Sequence, residues 1–450
     1  MDKNHLLTTP LARRLYEEVT KDLPIIDYHN HLNVADILAD KKFDNITRLW
    51  ISVDPYKHRA MRILGVPERY ITGDASDYEK FEVWYNCIPR LAGKALYDWS
   101  VMEFDLIFGI SLPPFRQDPR AVWDEVNEKL KNLSARTILN RFDIAYSAPC
   151  TGLNDDLSVF EGLEGTCPSL RGDNILLPDA AFVRQLEELT GVQIINLQEF
   201  ENAIDLRLAD FARVGCKFSD HSLDDGFRYC FDDGKNEERF QRALTGGTLE
   251  KQERASLSAY ILKMLAGLYA KHGLTMQLHI GAKRTTSSRL RAIAGPAGGY
   301  AAIGNCVHVK SLTDFLDDVE QQPNGLPKTI LFTLNPADNA VMSILSGSYS
   351  KDGVEAVVGQ GPAWWWCDHY QGMYEMLDHL SVYGVMSTFI GMTTDSRSIL
   401  SFVRHDYFRR ILCQWIGTKV SLGILPDDFE ILADMVRRIC YWNARNCIAD

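Results

Sequence analysis

The stretch Ile25-Ile26-Asp27-Tyr28-His29-Asn30-His31 decides how the rest of the chain is read. It opens on two β-branched residues and closes on an H-x-H pair, the pattern of a short strand ending in a polar site. Side chains alternate along a strand, so His29 and His31 point to one side. Two imidazoles on one face can chelate a divalent ion, or they can be two hydrogen-bonded structural histidines. Their position at the end of a first strand favours the metal. The same theme, a short β-rich run followed by a helical stretch, recurs along the chain. Eight runs are identified: 25–31, 142–148, 174–179, 215–221, 275–281, 328–334, 355–360 and 388–395. Helical patterns cover 180–189, 255–272 and 309–320 between them.

Eight strands alternating with helices predict a distorted (β/α)8 barrel of the TIM type, in one domain spanning residues 1–450. At about 150 residues per domain the 450-residue length alone suggests three domains, but elaborated barrels are longer. The surplus falls in two places. Residues 43–135 read as a helical insertion with helices near 46–50, 56–64, 78–88, 97–108 and 119–132. Residues 224–252 read as a second, charged helical insertion. Barrel active sites sit at the C-terminal ends of the strands, so an insertion there would cover the mouth.

Composition narrows the function. The net charge of −12 argues against nucleic acid as a partner, because phosphate neutralisation needs a basic face. No apolar stretch is long enough to span a membrane, and the N-terminus carries charges throughout. Ten scattered cysteines without a C-x-x-C pair predict free thiols and a cytoplasmic setting. A P-loop, a dinucleotide-binding glycine motif and a nucleophile elbow are all absent.

Several strand ends carry further chemistry. Thr393-Thr394-Asp395-Ser396-Arg397 ends the eighth run, beside the first once a barrel closes. Asp395 can complete a His29/His31/Asp395 set for zinc, manganese or iron, and Arg397 can hold an anionic group. A plain Asp–Arg pair is the other reading. His279, in Gln277-Leu278-His279, can be a ligand or a general acid/base. His221, ending Lys217-Phe218-Ser219-Asp220-His221, can touch substrate or orient a group that does. Trp364 and Trp365 of the Trp364-Trp365-Trp366 run suit a sugar-stacking wall, or core packing. Arg404 and His405 lie near the mouth. Arg409 and Arg410 read as a packing face.

These blocks, with DPYKHRAMR (54–62), GCKFSDHSLD (215–224), PKTILFTLNPADN (327–339) and GMTTDSRSILSFVRHDYFRRILC (391–413), resemble the uronate (glucuronate) isomerase family of the amidohydrolase superfamily. The resemblance runs from residue 12 to 445. It implies a metal-dependent-hydrolase type of barrel with one divalent ion, commonly zinc, on His29, His31 and Asp395. It implies aldose–ketose isomerisation of D-glucuronate to D-fructuronate, or of D-galacturonate to D-tagaturonate, with active-site roles for Tyr56, His279 and Arg397. A small sugar acid is then the partner, and a homo-oligomer is compatible.

The chain departs from the family pattern at Pro55 and His58, in 295–300, and in 359–368. The family's W-R-P-D arginine aligns with Leu177, which predicts a lost contact to the substrate carboxylate. That loss keeps an alternative open: hydrolysis, decarboxylation or C–C cleavage of another organic acid in the same barrel.

Overall fold

The computed structural model describes residues 2–113 and 115–449. Among these, seven strands form one parallel sheet. Its order is β1 (Ile25–Asn30), β2 (Ile144–Gly152), β3 (Ser169–Arg171), β4 (Phe218–Leu223), β5 (Thr275–Ile280), β8 (Thr329–Thr333) and β9 (Val358–Gln360). β6 (Ala282–Lys283) and β7 (Ala302–Ile303) make a separate antiparallel ribbon just past β5. Helices Leu197–Arg213, Lys251–His272, Val309–Glu320 and Tyr370–Tyr383 fall between or after these strands, as a right-handed parallel crossover requires. The result is a distorted (β/α)8 barrel.

The distortion is at the eighth position. Residues 388–395, expected as a strand, instead follow a short 3-10 turn, Met386–Thr388, as an extended segment outside the ladder. Positive φ at Gly391 (87°) and Asp395 (42°) breaks its pleat. The segment still closes the barrel against β1. Asp395 N–H donates to His29 O (3.0 Å), His31 N–H to Ser396 O (2.8 Å) and the Tyr28 hydroxyl to Gly391 O (3.0 Å).

The third strand also differs. It is Ser169–Arg171, not 174–179. Asp173–Ile175 is a 3-10 turn, and Asp179 caps the next helix by accepting from the N–H groups of Ala181 and Phe182. The apolar run after Gly172 is therefore the approach to a helix. Gly172 itself is obligatory, since a Cβ there would lie 2.0 Å from the His221 ring. The seventh run shortens to Val358–Gln360, with Ala356 at φ 46° turning the chain just before it.

Alternation sorts the core. Tyr146, Phe218, Ile330 and Phe332 fill the barrel interior, while Leu278 and Leu331 face outward onto Leu262 and Leu316 of the surrounding helices. β1 breaks the rule. Its register against β2 shifts between Asp27 and Asn30. Tyr28 faces inward and stacks on Phe218 (ring centroids 5.4 Å), yet the next residue, His29, also faces inward, 4.6 Å from the His279 ring. A local irregularity of this kind re-aims a side chain, here at the mouth of the barrel.

Asp27 secures that irregularity. Its carboxylate is fully buried. It accepts from Asn30 Nδ2 (2.9 Å), Thr393 Oγ1 (2.9 Å), Thr394 N (2.6 Å), Thr394 Oγ1 (2.8 Å) and His405 Nε2 (3.2 Å). Burial alone pushes this carboxyl up, but the contacts from His405 and Thr394 outweigh it and hold it below the usual aspartate value of 3.8. Its folded pKa is depressed, so its stabilisation is full above the unfolded value and is lost as pH falls through the folded one. Asp27→Asn is expected to cost about 2–4 kcal/mol in urea unfolding at neutral pH, with a smaller penalty in acid. An equal penalty at both would show that the charge is not what holds the strand.

Candidate active site

The C-terminal end of the barrel opens into a cavity of about 560 Å³, within the ~300–1,000 Å³ range of small-molecule sites. At its floor the Oδ1 of Asp395 lies 3.2 Å from His29 Nε2 and 3.1 Å from His31 Nε2. Its Oδ2 accepts the indole N–H of Trp364 at 2.6 Å. Asp395 is held in the left-handed region, a conformation costing on the order of 1–3 kcal/mol that persists where surrounding bonds over-determine it. Burial raises its carboxyl, but the two imidazoles hold it well below the ordinary range. In return, and against burial, His29 is raised well above its usual value and His31 to about 9, with Cys150 and Asp395 as the causes.

Around this centre stand residues from other strand ends. His279 of β5 stacks on Phe332 (4.5 Å) and lies 4.9 Å from the Trp364 ring. Its Nε2 is buried without a partner, and burial, then the neighbouring His29, hold it well below 6.5. Cys150 of β2 has its sulfur 3.6 Å from His29 Nδ1 and 3.5 Å from Asp220 Oδ1. Arg171 of β3 faces Asp220 (3.6 Å) and Asp173 (2.8 Å). Two triads bring donor atoms within 4.8 Å of one another, His29/His31/Cys150 and His29/Asp220/His279. The donor chemistry therefore fits a divalent ion at His29, shared among imidazole, carboxylate and sulfur.

Helices of the segment between β1 and β2 wall the other side. Asp54 caps Pro55–Ile63 by accepting from Tyr56 N (2.8 Å) and Lys57 N (3.2 Å), and Pro55 occupies the first helical position, where its missing N–H costs nothing. Gly299 packs onto this turn. A Cβ there would sit 2.2 Å from Pro55 O. Tyr56 thus points into the cavity against Trp99 (5.8 Å) and Trp366 (5.3 Å), its hydroxyl buried without a partner and its pKa raised by burial. Glu103 lines the same wall.

The cations divide into two kinds. Arg404 is buried and committed to Asp368 and to Thr394 O (2.6 Å). Arg284 is held by Asp224 (2.8 Å) and lies over Trp365 (5.0 Å). Arg397 is exposed at the rim and makes no ion pair among the described residues. Trp364 and Trp365 both line the cavity, Trp365 at φ 45°.

Two expectations are corrected. His221 does not reach the cavity. Asp220 and Ser222 take the inward positions of β4, so alternation turns His221 outward, where its Nε2 meets the Tyr269 hydroxyl at 2.9 Å. Leu177 is exposed and away from the cavity. Once the third strand is 169–171, Arg171 at its end lines the cavity, so the wall left without an arginine by the Leu177 reading carries one. Cys150, Arg171 and Asp220 are single polar residues near the ends of barrel strands, the signal that could have found them, while Arg284 follows the ribbon strand β6 and carries no such signal.

A model of the glucuronate isomerase family matches residues 1–448. A uronate isomerase from Caldicellulosiruptor bescii is 39% identical, over 99% of this chain and 98% of its own. One from Bacillus licheniformis is 37% identical, over 99% and 97%. The crystal structure of uronate isomerase from Thermotoga maritima superposes with a TM-score of 0.91 at 27% identity, covering 100% of this chain and 99% of that one. Glucuronate isomerase from Caulobacter crescentus, at 21% identity, shares the fold with a TM-score of 0.89.

The lowered His279 makes a direct expectation. In a ¹⁵N NMR titration its imidazole stays neutral at pH values where an ordinary histidine, near 6.5, is half protonated. A normal titration would remove the burial argument.

Proposed function

This chain belongs to the glucuronate isomerase family, and from that premise we propose that it interconverts D-glucuronate and D-fructuronate, or D-galacturonate and D-tagaturonate, at the cavity around Asp395. The observation that carries this reading is one carboxylate oxygen meeting both His29 and His31 inside a cavity that also presents a neutral imidazole, an unpaired phenol and an unpaired arginine.

His29, His31 and Asp395 are the proposed ligands of one divalent ion, zinc first and manganese or iron as alternatives. They suit it because each imidazole presents its Nε2 to the same Asp395 oxygen, whereas Cys150 stands on the Nδ1 side of His29. The ion, when bound, polarises the substrate oxygens and stabilises negative charge on them.

The chain's own groups then have the following proposed work. Arg397 holds the sugar carboxylate; it has no competing acid among the described residues, and a guanidinium fork matches a carboxylate. Trp365 walls the ring. Asp395, kept ionised, removes the C2 proton of the open-chain aldose, giving a cis-enediolate with its charge on O1. The O2 proton then passes to O1 and Asp395 returns its proton to C1, so that no atom is gained or lost overall. His279 is neutral and presents a free Nε2, so it can carry the proton between the two oxygens. Tyr56 remains protonated and donates a hydrogen bond. Trp364 fixes the second Asp395 oxygen.

The alternative of another reaction on another acid rested on a missing arginine. With Arg171 in the cavity wall, no observation favours it.

In deuterium oxide, the ketose formed from the aldose is expected to carry deuterium at C1. Its absence would point to an internal hydride shift. Asp395→Asn should lower kcat by about 10²- to 10⁴-fold with the fold intact by circular dichroism; near-wild-type turnover would exclude it as the base. Arg397→Met should raise KM by roughly 10- to 150-fold, the worth of a charged hydrogen bond of about 1.5–3 kcal/mol. An unchanged KM would move the carboxylate elsewhere in the cavity.

A further inference from the structure

Cys150 sits where metal proteins usually place something else. A ligating histidine generally gives its second ring N–H to a carboxylate, a backbone carbonyl or water, which fixes the tautomer and raises the basicity of the ligating nitrogen. On His29, Nε2 faces Asp395 Oδ1 at 3.2 Å and Nδ1 faces a sulfur, Cys150 Sγ, at 3.6 Å. The same sulfur lies 3.5 Å from Asp220 Oδ1, and Asp220 Oδ2 lies 3.6 Å from Arg171 Nη1.

The sheet order explains the sequence of contacts. β2 lies directly beside β1, while β4 is two strands further round, so Cys150 is the residue that makes contact with both His29 Nδ1 and Asp220 Oδ1. We propose that Cys150 is a positioning residue of the metal centre, whose sulfur accepts the Nδ1–H of His29 while its own S–H donates to Asp220, leaving Nε2 of His29 as the ligand atom. This rests on the metal reading above.

A ring cannot give both nitrogens to one ion, so with Nε2 of His29 as the ligand atom a sulfur on the Nδ1 side orients the ring and is not a ligand through it. The carboxylate that would ordinarily orient the histidine is present but one step removed, and a thiol bridges the gap. The bridge also joins the metal centre to Arg171 in the cavity wall, through residues of β1, β2, β4 and β3 in turn.

The test is Co²⁺ binding to the full chain by chelator competition, with absorption spectra, for wild type, Cys150→Ser and Cys150→Ala. Serine keeps an acceptor and a donor at the same place, so Cys150→Ser should bind near the wild-type affinity. Cys150→Ala should bind about 10- to 100-fold more weakly. Both should show ligand-field bands without an intense sulfur-to-cobalt charge-transfer band, as should wild type. Should Cys150→Ala fail to fold, Asp220→Asn in the intact relay gives a second reading, with weaker Co²⁺ binding expected. An intense charge-transfer band lost in Cys150→Ser would make Cys150 a ligand and overturn the proposal. Equal affinity in wild type and Cys150→Ala, or equal loss in the serine and alanine variants, would also overturn it while leaving the metal centre standing. Wild type that takes up no Co²⁺ would remove the metal centre and this proposal together.

Discussion

A fully buried carboxylate must be surrounded by donors or it will not stay charged, and Asp27 meets that demand with groups drawn from three separate parts of the chain. Asn30 belongs to its own strand, Thr393 and Thr394 to the closing segment, and His405 to the helix Val403–Ser421. The segment at the eighth position meets β1 through backbone bonds at Asp395 and Ser396 but forms no ladder, so side-chain bonds supplement the backbone pairing. Thr393 serves twice, donating toward Asp27 and accepting the N–H of His29 at 2.9 Å. Because His29 and Asp395 flank these contacts, the bonds that close the barrel also set the distance between the first histidine and the acid.

That arrangement explains why strain collects here. Asp395 and Trp365 both occupy the left-handed region, which non-glycine residues adopt at a cost. A regular eighth strand would keep Asp395 in the pleat. The left-handed turn instead accompanies an Oδ1 that meets both imidazoles and an Oδ2 that meets Trp364. The rest of the cavity is a rigid collar: Arg404 on Asp368, Arg284 on Asp224 and Arg171 between two acids. Against that background Arg397 stands out as a cation with no acid of its own among the described residues. A chain of net charge −12 can receive an anion there because the local field, not the sum, is what the ligand meets.

The barrel was legible because strand and helix periods differ and recur. β1, β5 and β8 fall within or beside the runs read from β-branched and aromatic residues, and Val309–Glu320 has the bounds that its periodicity predicts. His29, His31 and His279 lie at the ends of β1 and β5, and Asp395 lies on the segment that closes against β1; all four line the cavity. The failures have local causes. Residues 174–179 look like a strand, yet Pro178 and Asp179 belong to a helix start, and that displaced the whole third position and hid Arg171. His221 ends its run, but alternation along β4 turns Asp220 into the cavity and His221 away from it.

The sequence by itself therefore determined the kind of barrel, because that follows from the periods of strand and helix, which are local. Only the tertiary structure decided which neighbour meets which. The shift in β1 turns Tyr28 and His29 to the same side, Cys150 falls between His29 and Asp220, and Arg171 returns to the cavity. Those facts depend on register between strands far apart in the chain, and a one-residue change of register moves a side chain from one face to the other.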